Sequence, residues 1–170
     1  MTFSITTFNT AFAGGIRPNQ FSIEIATPPT GITLTSFPIL CKAAAVPGMT
    51  IGLIEVPFRG RRVKFPGDRT FAEWTVTVIN QKDQAIRTGF ENWTNITAAR
   101  DFTTAAISAK TSSSYKVNVD IKQLKDDNSV IRTYQLRDAF VVDVGAIELS
   151  YDTTDAIEEF TVTFQYSYFV

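Results

Sequence analysis

Two pairs of adjacent carboxylates, Asp126-Asp127 and Glu158-Glu159, come nearest in this chain to a spacing that could do acid–base chemistry. Such a pair divides into acid and base when both groups face one substrate. Neither pair meets that condition. Successive strand side chains point to opposite faces, so Glu158 and Glu159, at the start of an alternating segment, must diverge. Asp126-Asp127-Asn128 has the composition of a turn, in which Asp and Asn side chains bond the backbone two residues on. A glycosidase using two distant carboxylates has no motif here to support it.

The 170 residues include no histidine and one cysteine, Cys41. Without histidine the usual Ser-His-Asp and Cys-His nucleophiles, the HExxH zinc site and the commonest metal ligand are all missing. One cysteine cannot build a Cys-rich zinc site or an intrachain disulfide, and it reads as a small buried apolar residue. The string FRGRR at Phe58–Arg62 lacks the Lys-Ser/Thr ending of a phosphate loop, and no GxGxxG is present. The expectation is a protein that is not an enzyme, with no catalytic residue, no cofactor and no metal.

Charge is balanced in total, at −1, but segregated along the chain. Arg59, Arg61, Arg62, Lys64 and Arg69 stand against the single Asp68 between positions 59 and 69. From Asp138 onward come Asp143, Glu148, Asp152, Asp155, Glu158 and Glu159 with no Lys or Arg. A near-neutral chain lacks the global basic footprint of a nucleic-acid binder, and the basic segment has too few interleaved aromatics to stack bases. Two solvated faces would explain the pattern. So would head-to-tail contact of identical subunits, basic patch on acidic patch, which propagates as a filament when no rotation closes it. On that reading the contact residues are Arg59, Gly60, Arg61, Arg62 and Lys64 on one side and Asp152, Asp155 and Glu158 on the other.

The elements that must position these residues are mostly strands. Fourteen phenylalanines and frequent Thr, Val and Ile favour them. Phe21–Ala26, Ile39–Val46, Trp74–Asn80, Tyr115–Leu124, Val130–Leu136, Ala139–Val144 and Phe160–Tyr166 each read as a strand. Residues 51–69 form a long hairpin. With its turn at Arg59-Gly60, Phe58 pairs Arg61, Pro57 pairs Arg62, Val56 pairs Val63, Glu55 pairs Lys64 and Ile54 pairs Phe65. A one-residue slip would invert every face. Residues 83–98 form the one helix, capped by Asp83, with Ile86, Phe90, Trp93 and Ile96 as its apolar stripe. Residues 1–20 read as an irregular N-terminal arm and residues 100–114 as a long loop. One domain over 1–170 is expected: an antiparallel two-sheet β-sandwich or barrel with one flanking α-helix and a long protruding hairpin. The start, MTFSITTFNTAF, does not read as a signal peptide, and no apolar run approaches the roughly 20 residues of a membrane span. No membrane anchor is expected.

The string VPFRGRRVKFPGDRTFAEWTVTVIN, followed by IRTGFENW, closely resembles the tube protein of contractile-tailed bacteriophages. The opening FNTAFAGGIRPNQFSIEI and the closing IEEFTVTFQYSYF resemble the same family's ends, so the likeness runs nearly the whole chain in order. The resemblance implies a structural subunit of the inner tail tube. Six-membered rings with joined sheets stack helically into a hollow conduit inside a contractile sheath, and the hairpin reaches the adjacent ring. Its implied partners are other copies of itself, the tail sheath protein, the tape measure protein and DNA in the lumen, and the baseplate and tail terminator at the ends. The implied location is the virion tail, assembled in the host cytoplasm. The related alternative is the tube of an extracellular injection or secretion system that delivers protein effectors. A soluble β-sandwich binding module, with an aromatic-lined concavity, is the alternative from another class.

Overall fold

The computed structural model describes residues 4–98 and 114–170. Helix α1 (Ile5–Phe12) precedes strand β1 (Phe21–Glu24), a single helical turn α2 (Phe37–Leu40) and β2 (Cys41–Ala44). A hairpin of β3 (Met49–Phe58) and β4 (Arg61–Phe71) follows, then β5 (Trp74–Ile79) and helix α3 (Ala85–Thr97). The remainder is β6 (Val117–Leu124), β7 (Val130–Val144), β8 (Glu159–Gln165) and the short β9 (Tyr168–Phe169).

Seven strands join edge to edge in the order β1-β6-β7-β8-β5-β2, with β9 also paired to β7. Every pairing is antiparallel. Strand β7 makes this into two sheets. Its first part pairs with β6 and β9, whereas Phe140–Val144 pairs with β8. The change of sheet coincides with Asp138, whose φ is 57°, and with a register shift opposite Val117 and Val119. Bulges of this kind bend a strand and strengthen its twist. Ile23, Val119, Ile121 and Leu136 of one sheet then meet Val76, Val78, Val162 and Phe164 of the other in one core. Each such side chain contributes about 1.5–3 kcal/mol on full burial. The fold is mainly β, as expected.

Helix α3 covers this core with Ile86, Phe90 and Trp93. Trp93 stacks on Phe90 at 6.3 Å, meets Phe164 edge-on at 5.9 Å, and donates its indole N–H to the Tyr115 carbonyl at 2.8 Å. Gly89 allows the close approach: a Cβ there would lie 2.9 Å from Leu34 Cδ2 and 3.3 Å from the Thr33 carbonyl oxygen.

Four local expectations need correction. The arm over residues 1–20 is not wholly irregular, because Ile5–Phe12 is helical. Ser4 caps it by accepting from the Thr7 N–H at 3.2 Å, Phe8 stacks on Phe12 at 5.6 Å, and Ala13 ends it in the left-handed region. The strand expected over Ile39–Val46 starts only at Cys41, since Ser36-Phe37-Pro38 initiates a helical turn and Phe37 packs edge-on against Phe90 at 5.3 Å. The cap of α3 is Gln84, with φ 51°, not Asp83; the Asp83 carboxylate still accepts from the Ala85 N–H at 3.2 Å. Val130–Leu136 and Ala139–Val144 are one 15-residue strand, not two. The expected loop 100–114 lies, apart from Ser114, outside the described residues.

Candidate self-assembly surface

The hairpin follows the expected register: Phe58 opposite Arg61, Pro57 opposite Arg62, Val56 opposite Val63, Glu55 opposite Lys64 and Ile54 opposite Phe65. It extends from Met49 to Phe71, with a bulge between Ile51 and Leu53. Arg59 (φ 45°) and Gly60 (φ 80°) both take the positive φ of a primed turn, whose twist matches the flanking strands. The pair forms its own two-stranded sheet, unpaired with the seven-stranded one. Its attachment is Phe71, which packs 5.9 Å from Tyr166 and 5.6 Å from Phe169.

Alternation sorts the basic residues by face. Glu55 accepts from Arg62 Nη1 at 2.9 Å and lies 3.8 Å from Lys64 Nζ, so both cations of this face share one carboxylate within the chain. The opposite face carries Ile54, Val56, Phe58, Val63 and Phe65, all exposed, and ends at Arg61, which has no ion pair among the described residues. Arg59 lies over the Phe58 ring at 5.6 Å. The expected basic tip is therefore really Arg59 and Arg61 beside an apolar strip. A contiguous exposed patch of this kind marks an interaction site, unlike scattered single residues.

The acidic residues lie on the connection between β7 and β8. Asp152 takes a 3.3 Å bond from its own N–H to Ser150 Oγ, and Asp155 is exposed. Glu158 accepts from Asn80 Nδ2 at 2.9 Å, while Glu159 pairs with Lys42 at 2.5 Å, so the two neighbours do diverge. Among the described residues no ion pair joins this acidic group to Arg59, Arg61, Arg62 or Lys64. One chain does not bring the two sets together.

Sequence reasoning missed two apolar features. Ile5, Phe8 and Phe12 of α1 are exposed on one stripe, and Leu149, Tyr151 and Ile157 project from the acidic connection. Their helical or aperiodic placement, away from any alternating strand, was the available signal. Strands β1 and β2 are also hydrogen-bonded on one side only, leaving two open edges.

Small-molecule chemistry finds little footing. Among the described residues no group of three or more Cys, Asp or Glu converges as a metal would require. A groove of about 560 Å³ is lined by Pro28, Pro29, Lys116, Asp120, Gln135 and Asp138 without an aromatic, and its Asp120 already accepts from Gln135 Nε2 at 2.7 Å. Cys41, half-buried on β2, is pushed up to about 11 by burial, against a weak opposing bond to the Ala43 carbonyl. A thiol so poised is protonated and inert at neutral pH.

The model of the phage tail tube protein family matches residues 16–170. The chain belongs to this family. It is 31% identical over 161 residues to tail tube protein gp19 of Enterobacteria phage T4, covering 93% of this chain and 94% of that protein. Among solved structures, the sheath-tube complex of an extracellular contractile injection system in its extended state aligns with a TM-score of 0.62 at 13% identity, over 99% of this tail tube family member and 97% of that chain. The sheath/tube terminator of the same kind of system aligns at 0.65 and 14% identity, over 91% and 94%. These two likenesses establish the shared fold. Within the tail tube family fold, the unpartnered hairpin and the two open edges are the parts that one subunit leaves exposed.

Proposed function

We propose that this chain, acting as one tail-tube domain over residues 1–170, is a non-enzymatic building block of a phage tail tube. Copies of it form rings through their open sheet edges, and the rings stack into a hollow conduit through the protruding hairpin. The observation that carries this reading is that hairpin: two long strands with an apolar face exposed in the single chain. Such a face stays in water only at a cost of about 25 cal/mol per Å² relative to a covered one, which favours its cover by another copy. Joining sheets between copies would also remove the edges that invite uncontrolled pairing.

The conduit sits inside a contractile sheath and passes DNA. The sheath protein, a tape measure protein, a baseplate and a tail terminator complete its set of partners, in the virion tail after assembly in the host cytoplasm. Identity to a phage tail tube protein over nearly the whole chain favours DNA over effector-protein cargo. Negative-stain microscopy of the concentrated protein tests the reading. Rings or hollow tubes are expected; a protein that stays monomeric at every salt and protein concentration overturns it.

A further inference from the structure

We infer that the hairpin tip of one copy docks on the 146–158 connection of a neighbouring copy, with Phe58 and Arg61 seated against Leu149, Tyr151 and Asp152. This deepens, and rests on, the tube-subunit reading by naming the surface that receives the hairpin. Both sides combine unpartnered apolar side chains with unpaired charge of opposite sign. On the tip, Phe58 is 64% exposed beside Arg59 and Arg61, while Glu55 already engages Arg62 and Lys64. On the connection, Leu149 is 81% exposed and Tyr151 fully exposed. Beside them Glu148, Asp152 and Asp155 have no ion pair among the described residues.

The competing apolar surface is α1. Its sequence, ITTFNTAF, contains no charge, and the acids beside its Phe12 are already engaged: Asp126 accepts from Gln20 Nε2 at 2.8 Å and lies 3.9 Å from Arg17, and Asp127 accepts from the Ser129 N–H at 2.9 Å. The connection answers both the ring and the guanidinium, with Leu149 and Tyr151 exposed beside acids that have no ion pair among the described residues. Tyr and Arg are also the residue types that dominate protein interfaces when desolvated at their centre. Because tip and connection are different patches, the contact is heterologous and repeats from copy to copy.

Disulfide trapping tests this in a Cys41→Ala background. The double variant Phe58→Cys/Tyr151→Cys, assembled and then oxidised, should run as a ladder of high-mass multimers on a non-reducing gel, with neither single variant doing so. The pair Arg61→Cys/Asp152→Cys repeats the test with both aromatic rings intact. Separately, Tyr151→Ser should raise the protein concentration needed for assembly by at least about tenfold and leave the thermal unfolding of the free subunit unchanged. Tubes that form with no ladder from either pair, a ladder from Phe58→Cys with Phe8→Cys instead, or normal assembly of Tyr151→Ser overturns the docking alone. A Cys41→Ala parent that never assembles, like the wild type, overturns the tube reading with it.

Discussion

Cys41 shows how one residue's environment decides its chemistry. Burial of its thiol on β2 raises the pKa from 9.0 to about 11, and the weak bond to the Ala43 carbonyl only partly opposes this. The folded pKa lies above the unfolded one, so the neutral thiol's contribution to stability is fully present below about pH 9. It is lost as pH rises through the folded value. Alkylation by iodoacetamide should therefore stay slow in the native subunit at pH 9 and accelerate only toward pH 11. The urea-unfolded chain should react with the ordinary thiol midpoint of 9.0. A native midpoint equal to the unfolded one would mean that the thiol is solvated. At the tip, residue environment divides four similar cations in the same way. Glu55 holds Arg62 and Lys64 within the chain, and alternation turns Arg61 to the other side.

Among the elements, α3 and the β3–β4 hairpin are both rich in apolar side chains yet contribute oppositely to the isolated subunit. Trp93 is fully buried against Phe90 and Phe164, and its N–H satisfies the Tyr115 carbonyl. Trp93→Ala leaves a cavity and removes that bond, so it should cost about 3–5 kcal/mol by chemical denaturation. Phe58→Ala removes an equally aromatic ring from an exposed strand and should change subunit stability by no more than about 0.5 kcal/mol. Comparable losses from both substitutions would show that the hairpin packs on its own body. The buried core of this fold lies in the seven strands and α3, and the hairpin strands contribute none of it.

At the scale of the whole molecule, the surfaces with least support inside one chain are the α1 arm, the hairpin tip and the 146–158 connection. Their apolar cover is confined to the Phe8–Phe12 stack, the Phe71 anchor and Ile147, which packs on the core. Hydrogen exchange should be fast at residues 4–16, 58–61 and 146–158 in the free subunit and strongly slowed in assembled tubes. The strands β5, β8 and β7 should be protected in both states. Equal exchange in both states at all three segments would place the contacts elsewhere. On the proposed function, ring formation and stacking would draw on different parts: open edges at β1 and β2 for the first, the hairpin for the second.

Much of this was determined by the chain's own alternation. The hairpin register, the inward Trp74, Val76, Val78 and Phe160, Val162, Phe164 rows, and the α3 stripe follow from a period of 2 or 3.6, which neighbouring residues alone encode. The missing histidines likewise leave no Ser-His-Asp, Cys-His or HExxH device in this sequence. Burial was not local in this sense. Val56 and Val76 both sit in alternating strands, yet Val56 is 45% exposed and Val76 1%, because only β5 has α3 and a second sheet above it. Joining two apparent strands into β7 depended on how Asp138 bends between sheets, and the cap of α3 on a left-handed Gln84. Which arginines remain unpaired depended on the side of the hairpin that Glu55 occupies. Each of these is a relation between residues that only folding brings together. Local periodicity therefore sets which face is apolar, and tertiary contact decides whether that face is core or interface.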